Sequence, residues 1–163
     1  MERSATFSSC RFYRYELWRS WGDLVTVDSY AMFVGLNPST ADEELDDPTI
    51  RRCIAFAKSW GYSGLCMTNL FAFRSTEPAD MLKAHDPVGE ANDDHLIRCA
   101  VGAGVVVAAW GTHGSHRGRD IKVRALLPRL QHLRLTKSGH PGHPLYLPKT
   151  LQPVPWQGDA STA

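Results

Sequence analysis

Val105-Val-Val-Ala-Ala-Trp110 is apolar on both faces, and the polar run Gly111-Thr-His-Gly-Ser-His116 follows at once. A strand with no polar side must be covered from above and below, as at the centre of a parallel sheet flanked by helices. Working outward, the same plan recurs. Tyr30-Ala-Met-Phe-Val-Gly35 reads as a buried strand that runs into Leu36-Asn-Pro-Ser-Thr40. Leu65-Cys-Met-Thr-Asn-Leu-Phe71 runs into Ala72-Phe-Arg74, and His132-Leu-Arg-Leu-Thr136 leads to Lys137-Ser-Gly-His-Pro-Gly-His-Pro144. Between these strands, helices are expected over residues 48–60, 93–101 and 119–127. The first has Asp47 as N-cap, Pro48 at its first position and Gly61 as its stop. Ile50, Cys53, Ile54 and Ala57 repeat at helical spacing on one face of it. Residues 11–18 alternate and are aromatic, which fits an edge strand.

The alternation implies an α/β fold: a three-layer α/β/α sandwich over a mainly parallel central sheet. A chain of 163 residues fits one such domain. Its span is expected to be residues 11–148, after a loosely ordered 1–10 and before a flexible tail, 149–163, rich in Pro, Gln, Gly and Ser. Eighteen basic against 17 acidic residues give a net charge of +1, so no global field draws the chain to nucleic acid or to an anionic membrane. The opening residues carry no apolar leader, and no apolar run is long enough to cross a bilayer. A cytoplasmic monomer without a membrane partner is expected.

Cys10, Cys53, Cys66 and Cys99 are scattered, with no Cys-x-x-Cys pair, and read as small buried apolar residues. A cluster held by all four is the alternative. Zinc deaminase chemistry would need His-x-Glu with Pro-Cys-x-x-Cys, and neither occurs.

In an open α/β sheet, ligands bind beyond the carboxyl ends of the strands, so four polar loops at those ends imply one composite site. In the first loop Gly35 lets the backbone approach a ligand, and Leu36, Pro38 and Ser39 frame the amide of Asn37, which suits positioning a water or a base edge. The alternative is a plain turn in which Asn37 bonds backbone. Asn69 sits in an apolar strand and needs partners if buried. An amide's acceptor and donors match the O4 and N3–H edge of a pyrimidine, although a tie between neighbouring loops would also satisfy it. Arg74 can reach a phosphate or an acidic neighbour. Phe71, Phe73 and Trp110 lie at strand ends, where an aromatic either stacks on a flat ligand or fills the core. In the third loop His113, Ser115, His116, Arg117 and Arg119 precede a helix, and with Lys122 and Arg124 form the one basic run able to hold a DNA backbone; the alternative is a flexible polar loop. It lacks the GxxxxGK[ST] spacing of a nucleotide P-loop. In the fourth loop His140 and His143 each precede a proline. Rigid imidazoles can donate to a leaving group that gains negative charge. As a metal pair they would lack a nearby third ligand, so no metal or other cofactor is expected.

The order of these motifs resembles the uracil-DNA glycosylase superfamily. Gly-Leu-Asn-Pro-Ser resembles the first motif of its mismatch-specific branch, Asn-Leu-Phe-Ala-Phe-Arg the segment whose asparagine reads the base, and the His-Pro loop the motif that enters the minor groove. The whole chain also resembles an uncharacterised bacterial and phage family marked by Leu-Asn-Pro-Ser-Thr-Ala, Asp-Pro-Thr-Ile-Arg-Arg, Trp-Gly-Tyr, Asn-Leu-Phe-Ala and His-Pro-Leu-Tyr. The glycosylase resemblance implies a DNA partner, a flipped base, water positioned by Asn37, the base held by Asn69 and a departing base anion stabilised by His140 or His143. It implies DNA repair or phage defence as a setting. Two departures stand out: no aspartate in the first motif, and His-Pro-Gly-His-Pro in place of His-Pro-Ser-Pro. An acidic run, Asp42 to Asp47, follows the first loop. The alternatives are a non-catalytic nucleobase- or nucleotide-binding module and a hydrolase of free nucleosides or nucleotides.

Overall fold

The structure is a computed structural model that describes residues 1–22 and 29–156. Its strands are β1 (Glu2–Phe7), β2 (Arg14–Ser20), β3 (Tyr30–Gly35), β4 (Gly64–Asn69), β5 (Val105–Ala108), β6 (Leu130–His132) and β7 (Val154–Pro155). Its helices are α1 (Pro48–Ser59), α2 (Pro78–Lys83), α3 (Asn92–Val101) and α4 (Arg119–Leu126). The strands form one sheet in the order β1-β2-β4-β3-β5-β6-β7.

The four central strands, β4-β3-β5-β6, run parallel. The outer pairings, β1–β2, β2–β4 and β6–β7, are antiparallel. The sheet is therefore mixed, and the expected parallel sheet is its centre only. Period-two alternation sends β3 side chains to both faces. Met32 and Val34 join Leu96 and Cys99 of α3 and Val123 of α4 in one core. Ala31 and Phe33 join Ile50, Cys53 and Ile54 of α1 in the other. Both faces are thus helix-covered, which is why Val105 to Ala108 is fully apolar.

Local chemistry sets the first helix. Asp47 Oδ1 accepts from the Ile50 N–H at 2.9 Å, and Pro48 supplies the first helical φ. The helix ends before Gly61, whose φ of +87° suits glycine.

Five expectations need correction. The opening residues are not loose: Glu2–Phe7 pairs with β2, its mostly exposed side chains leaving little apolar pattern to read. Because β1 covers it, β2 is internal rather than an edge. The last strand is Leu130–His132, earlier than expected, since residues 134–136 turn away to bond the fourth loop, with the Gly142 N–H on the Arg134 carbonyl at 2.8 Å and the Thr136 N–H on the His140 carbonyl at 2.7 Å. Residues 149–156 are placed: β7 pairs with β6, and Trp156 packs 5.9 Å from Trp110. The rest of that expected tail, residues 157–163, lies outside the described residues. Helix α2 was not anticipated, although Pro78 at its start and buried Met81 signal it. Cys53, Cys66 and Cys99 are buried, whereas Cys10 is exposed. No helix among the described residues is long and apolar enough to cross a membrane.

Candidate functional site

The loops after β3, β4, β5 and β6 are zipped together in pairs. The Leu70 and Phe71 N–H groups donate to the Gly35 and Leu36 carbonyls at 2.9 and 3.0 Å, and the Ser75 N–H to the Pro38 carbonyl at 2.9 Å. On the other side the Gly111 N–H donates to the Pro141 carbonyl at 2.9 Å. Between the pairs opens a cavity of about 710 Å3.

Gly35, Leu36, Asn37, Ser39, Asn69, Trp110, His113 and His143 all line this cavity. Of the expected base-handling set, then, both asparagines and one histidine converge. His140 is not in the lining; its backbone closes the turn with Thr136. The geometry thus separates two histidines that the sequence leaves equivalent.

Asn69 is 2% exposed, and its Nδ2 has no hydrogen-bond partner among the described residues. A buried amide without a partner costs about 1–3 kcal/mol. The backbone around it is held firmly. Asn92 Nδ2 donates to the Asn69 and Leu70 carbonyls, both at 3.0 Å, and Arg119 Nε donates to the Leu70 carbonyl at 3.0 Å. A rigid strand end in the cavity wall therefore carries an amide whose Nδ2 is buried without a partner.

Asn37 is different. Its Nδ2 donates to the carbonyls of Pro38, Phe73 and Ser75 at 3.1, 3.3 and 3.0 Å. Three carbonyls fix the amide orientation, since an oxygen cannot sit among them. Only its Oδ1 is left as an acceptor for a ligand or a water. The alternative in which Asn37 bonds backbone is therefore met, within its own turn at Pro38 and across to Phe73 and Ser75, and a site role for Oδ1 is compatible with it.

His143 accepts from the Leu145 N–H through Nδ1 at 3.2 Å, so the neutral ring carries its proton on Nε2. Burial pushes its imidazole below the ordinary histidine value, and Asp47 only partly offsets this. Tyr146, 84% exposed, also lines the cavity, with its ring 5.6 Å from that of His143.

The remaining expected site residues do not converge. Phe71 is core, its ring 5.6 Å from that of His116. Arg74 lies outside the cavity, over the Phe7 ring at 4.7 Å. Pro38 is buried beside the cavity without lining it.

The basic run fares no better as a phosphate track. Arg119 is 3% exposed and pairs with Asp93 at 2.9 Å. Lys122 reaches the same carboxylate at 3.3 Å. Burial alone would raise the Asp93 carboxyl, but these two cations hold it below its ordinary value. Arg117 donates to the carbonyls of His85 and Ala84, both at 3.2 Å. Arg124 stacks on the Trp156 ring at 4.0 Å. Ser115 is exposed, with its hydroxyl directed at the Thr112 carbonyl at 3.5 Å. Only His113 of the expected backbone-binding set touches the cavity. Of the cations that look like a patch in sequence, Arg117, Arg119, Lys122 and Arg124 each engage a neighbour within the chain.

Arg14, Asp47 and Thr49 line the cavity without having been foreseen there. Asp47 is legible as a cap, and its other oxygen faces the Ala41 N–H at 3.4 Å. Arg14 gives no local signal, because the strand pairing that brings β2 to the cavity is non-local.

No curated protein and no solved structure matches the chain. Residues 14–145, which span all four loops up to Leu145, match the family model described as Protein of unknown function (DUF1643), and the chain belongs to that family.

Proposed function

We propose that the cavity recognises a nucleobase and that its chemistry is hydrolysis of the N-glycosidic bond, in the manner of a uracil-DNA glycosylase-like fold. One observation carries this reading: the Asn69 amide is buried, unpartnered and part of the same cavity wall as Asn37 and His143. A heterocycle edge with one acceptor and one donor is complementary to a carboxamide of this kind. His143 Nε2–H is the donor available to a departing base anion, and such a donor acts most strongly where water is excluded. Asn37 Oδ1 is the acceptor available to orient the attacking water. Asp47, the carboxylate in the cavity wall, has both oxygens on backbone N–H groups, so a weakly activated water and slow turnover are expected.

DNA is the substrate that the motif resemblance favours. A free nucleoside or nucleotide is the second reading, and the internal pairing of Arg117, Arg119 and Lys122 favours it. The test is incubation of the chain with oligonucleotides carrying damaged or modified bases, scored for abasic sites, beside free nucleosides and nucleotides scored for released base. Wild type releasing base, with Asn37→Ala and His143→Ala losing activity, is the expected result. Absence of release together with absence of base binding to wild type would refute the reading.

A further inference from the structure

Arg14 is 2% exposed and lines the cavity from β2. Its Nη1 donates to the Ala41 carbonyl at 2.9 Å, and its Nε is buried without a partner. Among the described residues no carboxylate lies within ion-pair distance of it. Buried arginines are normally paired, because an isolated desolvated cation is costly. Desolvation pulls its guanidinium down to about 10, against the weaker pull of Asp47 in the opposite direction. A planar guanidinium with spare N–H donors fits an oxyanion bidentately. The start of α1 opens on the same cavity through Thr49 and Ile50, and its positive end adds to the attraction.

We infer that the cavity holds a phosphate group on Arg14 while the base lies at Asn69, so that the ligand is a nucleotide unit and not a bare nucleoside. The assignment of the base rests on the function proposed above; the phosphate site does not. The phosphate can belong to a free mononucleotide or to a DNA phosphodiester. The two share one chemistry at Arg14 and are separable by experiment.

Calorimetric titration of the full chain with inorganic phosphate, uridine, uridine 5′-monophosphate and a short abasic oligonucleotide tests this. Wild type should bind phosphate measurably and the monophosphate or the oligonucleotide at least ~10-fold more tightly than uridine. Whichever phosphate-bearing ligand shows the gain names the source. Arg14→Gln should erase that gain and leave uridine binding unchanged. Asn69→Leu should keep phosphate binding and lose uridine, so failure of the base reading would show itself separately. No phosphate-dependent gain in wild type, or an equal gain in Arg14→Gln, would overturn the inference. Should Arg14→Gln fail to fold, competition decides: inorganic phosphate must displace the phosphate-bearing ligand from wild type, and its failure to do so overturns the inference equally.

Discussion

Gly35 and Asn69 are partners across the parallel β3–β4 ladder, and Asn69 Oδ1 stands 2.8 Å from where a Cβ on residue 35 would lie. The Met67 methyl is equally close to that point. Glycine at 35 is thus required by the packing of the Asn69 amide in the cavity wall.

Gly35→Ala should therefore displace the Asn69 amide. The contacted atoms are side-chain ends, so the fold should survive with a loss of about 1–3 kcal/mol from overpacking. Base or nucleotide binding should fall more than stability does. Paired thermal melts and titrations check this; unchanged binding would show that the Asn69 position does not matter.

Asn37 offers a second measurement. Asn37→Ala removes the donor that three carbonyls share, at a cost of about 1–3 kcal/mol. Asn37→Asp should be worse for stability than Asn37→Ala, because it sets carboxylate oxygens against those carbonyls. Chemical denaturation of the two variants gives the order. The reverse order would mean that the carbonyls do not depend on this amide.

Arg119→Gln should behave as a core lesion. Breaking a buried pair costs about 3–5 kcal/mol, and less is expected here because Asp93 is 33% exposed at its side chain. The slope of any DNA affinity against salt should stay as in wild type, since this guanidinium faces Leu70 and Asp93. A reduced salt slope with unchanged stability would restore Arg119 as a phosphate contact.

The pH dependence follows from His143 and His132. Burial lowers both imidazoles, with Arg124 adding to the effect at His132. Their ordinary value is about 6.5, so above that pH neither state binds the extra proton and stability is at its full level. As pH falls below ~6.5 the unfolded chain takes up protons that the folded chain refuses, and stability declines until the lower folded values are passed. Protonation at Nδ1 would also break the bond from the Leu145 N–H. Denaturation at several pH values between 5 and 7.5, repeated for His143→Gln, should show a decline that the variant lessens. A flat wild-type profile over this range would contradict the assignment.

Much of the fold was legible in the chain. Strands β3, β4 and β5 and helices α1, α3 and α4 announce themselves through apolar periodicity, the Asp47-Pro48 start and the polar loops that follow each strand. These signals are local: spacing of a few residues fixes which face is apolar and where a cap sits. Strand β1 and helix α2 were less visible because one is largely exposed and the other is short.

The residue types able to handle a base, and the loops that carry them, were set by sequence alone. Which of them meet was decided by tertiary structure. His143 reaches the cavity and His140 does not; Arg119 turns inward to Asp93; Arg14 arrives from a strand whose antiparallel pairing with β4 no local pattern encodes. Desolvation and partner choice are properties of the packed chain: an arginine is a phosphate ligand or a strut according to what surrounds it, and only folding supplies the surroundings.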